Sequence, residues 1–129
     1  MATGFPAVTG QVMTADMFNG LVSFTLNAQT GTTYTTVLND SYQVLVTMSN
    51  AAANAFKIPT NASVAHPIGT VITVLNIGAG LTTISAVTSG TTTILSAGAT
   101  AASPTLSQYR SAACIKTGTD AWYIVGAIG

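Results

Sequence analysis

The segment that most constrains this chain is Val71–Ile77, a run made almost entirely of β-branched and apolar residues. Pro67–Gly69 precedes it, and Gly78–Gly80 follows it. Proline has a fixed φ and no backbone donor, so it does not suit the middle of a sheet, and closely spaced glycines mark turns. The segment is therefore predicted to be a short strand between a loop and a turn. Both of its faces are largely apolar, so both should be covered.

The strand alternation places Ile72 and Val74 on one face, opposite the face that carries Val71 and Leu75. In a small domain, one face of such a strand packs on its own chain, and the other is free to meet a neighbouring subunit. We expect Ile72 and Val74 to form a subunit interface, although a helix or arm of the same chain is an alternative cover.

The rest of the chain after residue 26 consists of short β-favouring runs at roughly even spacing, separated by turn residues. Threonine is abundant and β-branched, which favours a pleated, half-buried surface. This pattern predicts a mainly β fold: a single small antiparallel β-sandwich or barrel over residues 27–129. Besides Val71–Ile77, the predicted strands are Tyr34–Leu38, Tyr42–Met48, Ala55–Ile58, a hairpin of Leu81–Val87 with Thr91–Leu95, Gln108–Lys116 and Ala121–Val125.

Residues 1–26 are predicted to form an N-terminal arm and one short helix. Thr14 is a suitable N-cap, and apolar residues recur at helical spacing over about Ala15 to Phe24. The break at Asn27–Gly31 is predicted to be a turn. Four apolar arm residues are expected to dock on a partner or on the chain's own core: Phe5, Val8, Val12 and Met13.

Charge is nearly absent from this chain. It has 129 residues with three basic and three acidic side chains, or 5% charged, whereas about 25% is usual in soluble domains. Little self-repulsion keeps copies apart, which suits a subunit packed against other copies better than a free monomer. The sequence has no basic patch of the kind that binds nucleic acid, and no apolar run is long enough for a membrane span. No secretory signal is recognised.

Residues with catalytic or metal-binding chemistry are few. His66 is the single histidine and Cys114 the single cysteine, so a His/Cys zinc cluster cannot be built. A Ser-His-acid triad would need His66 together with Asp16, Asp40 or Asp120. The positions of these residues in the sequence do not indicate that they come together. Cys114 is expected on a strand face with polar neighbours, in a protein made in a reducing cytosol. We expect no catalytic, cofactor or metal site and no enzymatic activity.

Trp122 and Tyr123, in the last predicted strand, are a second candidate interface. Aromatic side chains dominate both protein cores and subunit interfaces, and exposed ones stack on sugars. A packing role is favoured here over sugar binding: Trp122 and Tyr123 are expected at the subunit interface, or Trp122 in the core of the final hairpin. Glycan binding is the alternative.

Two stretches resemble a β-domain of tailed-bacteriophage virion proteins. The first runs from Ile58-Pro59 through Asn61–Ala65 and Pro67–Thr70 to Gly78-Ala79-Gly80, and the second includes Gln108-Tyr109, Gly118–Asp120 and Trp122-Tyr123. Thr9–Asp16 is also similar to the opening of phage tail and fibre proteins. Together these stretches contain about two fifths of the residues of the chain.

The resemblance implies a β-rich virion structural protein, usually trimeric and without catalysis. In fibres and spikes the domain ends a long polypeptide, whereas here it follows only an arm and a short helix. The resemblance therefore favours a trimeric capsid decoration (cement) protein that stabilises the phage head, assembled in the host cytoplasm and contacting the major capsid protein or other virion proteins. A short tail or head fibre or adaptor that binds host glycans is the alternative.

Overall fold

A computed structural model describes residues 24–98 and 100–129 of the chain. The described part is mainly β and contains two sheets packed face to face, which agrees with the predicted sandwich at a coarse level. Phe5, Val8, Val12 and Met13 lie outside the described residues, as does most of the predicted helix. β-structure begins at Thr25, so the turn predicted at Asn27–Gly31 is wrong over residues 27–29.

A six-stranded sheet, here called the large sheet, faces a four-stranded sheet, here called the small sheet. The strands in chain order are β1 Thr25–Gln29, β2 Thr33–Thr35, β3 Val44–Met48, β4 Asn54–Ile58, β5 Val71–Asn76, β6 Thr82–Ala86, β7 Thr93–Ser96, β8 Thr105–Leu106, β9 Arg110–Gly118 and β10 Ala121–Gly126. The strand order is β1-β3-β5-β9-β10-β7 in the large sheet and β2-β4-β6-β8 in the small sheet. A short 3₁₀ helix, Leu38–Ser41, connects β2 to β3.

The first six strands alternate between the two sheets, and this alternation corrects the predicted antiparallel topology. β1, β3 and β5 pair in parallel in the large sheet, and β2, β4 and β6 pair in parallel in the small sheet. Each turn therefore carries the chain across to the opposite sheet, and the next strand of the same sheet arrives one full circuit later. Turn residues show where a strand ends, but they do not show whether the chain reverses beside itself or crosses over.

The last strands add antiparallel pairs to the parallel strands of both sheets. β8 lies antiparallel to β6, β9 lies antiparallel to β5, and β10 returns antiparallel to β9. The hairpin predicted between Leu81–Val87 and Thr91–Leu95 is not formed, because β6 belongs to the small sheet and β7 pairs in parallel with β10 in the large sheet.

The hydrophobic core lies between the inner faces of the two sheets. Ile72 and Val74 have no exposed surface and belong to this core, so the subunit interface predicted at these side chains is wrong. Cys114 is also fully buried in an apolar environment, which corrects its predicted polar surroundings. The large sheet contributes mainly Val44, Val46, Met48, Ile72, Val74, Ile94, Cys114, Trp122 and Ile124, and the small sheet contributes Phe56, Ile58, Ile84 and Leu106.

The turn after β5 stacks closely on the turn after β3. A Cβ atom at Gly80 would lie 1.9 Å from the carbonyl oxygen of Ala52, so only glycine fits there. The side-chain amide of Asn76 donates to the carbonyl oxygens of Gly80 and Leu106, each at 2.8 Å. The glycine-rich turn recognised in the sequence is therefore the point where successive circuits of the chain pack together.

Candidate interaction surface

The outer face of the large sheet is mainly apolar, with a few threonine and serine side chains. The strand register aligns Leu26, Leu45, Thr73, Ala113 and Val125 across five neighbouring strands. Because successive side chains alternate between the faces, this row lies on the side opposite the core. The outer face of the large sheet consists of Leu26, Ala28, Leu45, Thr47, Val71, Thr73, Leu75, Thr93, Leu95, Ser111, Ala113, Ile115, Thr117, Tyr123 and Val125.

This outer face carries no charged side chain among the residues just named, and several of its large members are open to solvent. Leu26 is 61% exposed, Val125 is 50% exposed and Tyr123 is 47% exposed. Single exposed apolar residues are ordinary, but a contiguous apolar sheet face on a soluble chain marks an interaction site or an aggregation risk.

The outer face of the small sheet has a different composition. Its strands present threonine and serine with one basic side chain: Thr33, Thr35, Ala55, Lys57, Thr83, Ser85 and Thr105. Hydroxyl groups keep their hydrogen bonds with water at such a surface, so this face needs no protein cover. The apolar outer surface of the strands is therefore concentrated on the large sheet.

A buried polar cluster closes one end of the sandwich, and His66 is at its centre. The Nδ1 atom of His66 lies 2.5 Å from Ser41 Oγ, and its Nε2 atom lies 3.0 Å from Thr36 Oγ1. The imidazole ring packs edge-on against Trp122, with ring centroids 5.6 Å apart. The pKa of His66 is lowered mainly by burial and, to a smaller extent, by the nearby ammonium of Lys116, whereas the carboxylate of Asp40 raises it.

Lys116 lies on the inner face of β9 and is only 2% exposed. Its Nζ atom donates to Asn61 Oδ1 and to the carbonyl oxygen of His66, both at 2.6 Å. Burial lowers the pKa of Lys116, and the carboxylate of Asp120 opposes this shift. Lys116 therefore ties the loop between β4 and β5 to the large sheet.

Asp40 is buried at the 3₁₀ helix and has a structural set of partners. Its carboxylate accepts hydrogen bonds from Tyr34 Oη at 2.5 Å, Asn27 Nδ2 at 3.1 Å and the Val37 backbone N–H at 3.0 Å. Burial and the bond to Asp40 raise the pKa of Tyr34. Asp40 thereby holds β1, β2 and the 3₁₀ helix together.

The Ser41–His66 pair is the nearest approach to a catalytic group, and sequence reasoning missed it because the two residues are far apart in the chain. Ser41 lines a shallow cleft of about 260 Å³ with Tyr42 and Pro67–Thr70. The ring nitrogen that does not contact Ser41 lies beside the hydroxyl of Thr36, whereas in a Ser-His-acid triad the second ring nitrogen is hydrogen-bonded to a carboxylate. The carboxylate of Asp40 is hydrogen-bonded to Tyr34 instead. Within residues 24–98 and 100–129, no three His, Cys, Asp or Glu side chains group as metal ligands.

The predicted site residues are divided between the core and the surface. Trp122, with 2% exposure, lies in the core with Ile72 and Val74, whereas its neighbour Tyr123 is exposed on the outer face of the large sheet. The alternation of β5 was predicted from the sequence, but the face predicted to form the interface, with Ile72 and Val74, is the one that faces the core. Thr73 and Leu75, on the true outer face, are half-buried in the chain alone.

Comparison of the chain with known protein families, with curated proteins and with solved structures gave no match. In the described part of the chain, no helix is long and apolar enough to cross a membrane.

Proposed function

We propose that this chain is a non-enzymatic structural protein of a phage virion, namely a trimeric capsid decoration (cement) protein that stabilises the head. The resemblance of residues 58–80 and 108–126 to virion β-domains supports this assignment. The low charge supports it as well, because copies with few charges repel each other little. Major capsid protein or another virion protein is the proposed partner.

The observation that carries the proposal is the uncharged outer face of the large sheet. Burying apolar surface stabilises association by about 25 cal/mol per Å² as an upper estimate. Many symmetric copies on one shell would act together, since each bound copy raises the effective concentration of the contacts that its neighbours make. A decoration protein needs only this mechanical role, without a reacting group.

The location of the chain in a particle reconstruction is the decisive test. We expect copies spread across the head surface, and heads that lack the chain should break at lower temperature than heads that carry it. Light scattering after size exclusion should give three times the chain mass of 13.0 kDa. A monomer at micromolar concentration would contradict the trimer, and copies confined to a vertex or the tail would contradict decoration.

The Ser41–His66 pair provides a direct check on the absence of catalysis. Purified protein is incubated with an activated acetate ester, and the Ser41→Ala variant serves as the control. We expect equal background rates for both proteins, because no carboxylate lies behind the imidazole. Turnover that is lost in Ser41→Ala would overturn the non-enzymatic assignment.

A short fibre or adaptor that binds host glycans is the second candidate, and one observation favours it. Tyr109 is 76% exposed and adopts a left-handed backbone with φ of 67°, which projects an aromatic ring at the start of β9. Glycan-array binding that is lost in Tyr109→Ala would support this candidate. No binding above background would leave decoration as the proposal.

A further inference from the structure

The two edges of the outer face of the large sheet have different shapes. β1 forms one edge and β7 forms the other. At the β1 edge, Leu26 is 61% exposed and Phe24, two residues earlier, is 58% exposed. These two side chains are here called the β1 ridge. They have the largest exposed fractions of the bulky apolar side chains at this edge.

A groove of about 410 Å³ lies at the opposite edge. It is here called the β7–β10 groove, and its large apolar lining residues include Leu95, Tyr123, Val125 and Ile128. None of the residues that line it is charged. A concave apolar surface of this kind is filled most favourably by a protruding apolar side chain, because both surfaces leave water together.

We propose that copies of this chain associate head to tail, with the β1 ridge of one copy bound in the β7–β10 groove of the next. The two surfaces are unlike, so this contact is heterologous, and heterologous contacts form a closed ring when the rotation between copies closes. Three sheets would then surround a common axis with their outer faces directed inward. The trimer of the proposed function is the premise of this inference.

The size of the outer face is suitable for such an association. Six strands about 4.8 Å apart, with an average length of about six residues at about 3.3 Å each, give a face of roughly 600 Å². Stable interfaces bury about 800 Å² per partner. The flat area of the face is somewhat smaller than this, and the relief of its side chains, together with Phe24 and Ile128 at the two edges, adds to the area that can be buried. The face has no charged side chains, so copies meet without like-charge repulsion or the cost of burying an unpaired ion.

Disulfide formation between the two edges tests this contact directly. The single-cysteine substitutions are Leu26→Cys and Leu95→Cys. Within one chain the two positions are separated by five strand spacings, about 24 Å, which is too far for a disulfide. Cys114 can stay in place, because burial raises its pKa to about 12 and removes it from solvent.

We expect neither single variant to form a disulfide-linked dimer with itself under mild oxidation. An equimolar mixture of the two should form a covalent dimer, and the double variant should form a covalent trimer. Efficient self-linking of either single variant would overturn the head-to-tail contact in favour of like-with-like packing. No linking in the mixture would overturn the contact between these edges.

A charged substitution separates this inference from the proposed function. Leu26→Asp and, independently, Leu95→Asp should convert the trimer to monomers at micromolar concentration, and each monomer should keep the unfolding midpoint of the dilute natural chain. Thr83→Asp on the small sheet is the matched control and should stay trimeric. A natural chain that is trimeric, with both Asp variants also trimeric, would overturn only the inference. A monomeric natural chain would overturn both.

Discussion

The outer faces of the two sheets are built on the same core but have opposite compositions. Leucine, isoleucine, valine and tyrosine cover most of the large sheet, with a minority of threonine and serine, whereas threonine and serine cover most of the small sheet. Both faces lie on strands with well-packed inner sides, so core formation does not explain the difference. The difference leaves the large sheet with the apolar surface that the proposed association would bury, and the small sheet with hydroxyl groups that can hydrogen-bond to water.

Adjacent aromatic residues on β10 provide the strongest test of this division between inner and outer faces. Trp122 points into the core and Tyr123 points outward. We expect Trp122→Ala to lower the free energy of unfolding by about 3–5 kcal/mol, because it leaves a large cavity beside His66. Urea denaturation at a concentration low enough to keep the chain monomeric measures this effect.

Tyr123→Ala is the matched control for Trp122→Ala. It should lower the stability of the monomer by less than about 1 kcal/mol, since its ring is already half in water. In light scattering it should shift the association midpoint to higher concentration. Equal destabilisation of the monomer by the two substitutions would show that Tyr123 belongs to the core, and the division would fail.

The two lysines near the sheets sharpen the same comparison for charged groups. Lys116 is buried between the sheets, and Lys57 lies on the outer face of the small sheet. Lys116→Ala leaves the His66 carbonyl and Asn61 Oδ1 without their donor, so we expect a loss of about 2–4 kcal/mol. Lys57→Ala should change stability by less than about 0.5 kcal/mol.

Lys116→Met identifies how much of that loss comes from the packing of the lysine stem. Methionine keeps most of the stem and removes the cost of burying a charge, so its effect should be smaller than that of alanine. Chemical denaturation of the three variants gives the comparison. A Lys57→Ala loss as large as that of Lys116→Ala would contradict the solvated character of the small sheet.

Much of the fold was predictable because strand alternation and turn residues are local properties. The strand around Val44–Met48, the strand at Asn54–Ile58 and the strand beginning at Val71 were all recognised. Their pairing was not, since turn residues at a corner are the same whether the chain reverses or crosses to the other sheet. Parallel stacking depends on contacts between residues one full circuit apart, such as Leu45 with Thr73.

The candidate surface was only half predictable, for a related reason. The sequence shows that β5 has two apolar faces, but the choice of the inner one depends on the strands beside it. Ile72 aligns with Cys114, and Cys114 aligns with Ile124, which together define the buried side. The Ser41–His66 contact likewise joins a 3₁₀ helix to a distant loop, and no sequence spacing indicates it.

The single histidine, His66, should make the folding stability depend on pH, whereas the outer faces of the sheets should not. The pKa of His66 is lowered in the folded state, so below about pH 6.5 the unfolded chain binds a proton that the folded chain resists. Stability should therefore be full above that pH and decrease as the pH falls towards the folded-state pKa. Thermal unfolding between pH 7.5 and about pH 5 measures it.

His66→Gln is the control for this pH dependence. Glutamine does not titrate, so the variant should lose the slope. It can hydrogen-bond to the hydroxyls of Thr36 and Ser41 but lacks the ring that packs against Trp122, so it should be less stable at pH 7.5. An unchanged slope in His66→Gln would assign the pH dependence to another group. The association midpoint should shift only as far as folding does, because the proposed contact is made by the uncharged outer face.

The smallest expected effect comes from exchanging single hydroxyls on the two outer faces. Thr73 lies on the outer face of the large sheet and Thr83 lies on that of the small sheet. Valine has nearly the same shape as threonine, so Thr→Val changes polarity without changing volume. At an interface it removes the cost of burying a hydroxyl, about 1 kcal/mol, which corresponds to about fivefold tighter association.

We therefore expect Thr73→Val to lower the concentration at the association midpoint of the trimer about tenfold, because three copies each contribute the fivefold factor and the midpoint varies as the square root of the trimer dissociation constant. Thr83→Val should leave the midpoint unchanged. Both variants should unfold as the natural chain does when dilute, because neither position faces the core. Equal tightening by the two substitutions would mean that both faces are buried in the assembly. Tightening by Thr83→Val alone would reverse the comparison, since the hydroxyl-rich face of the small sheet would then be the one that meets other copies.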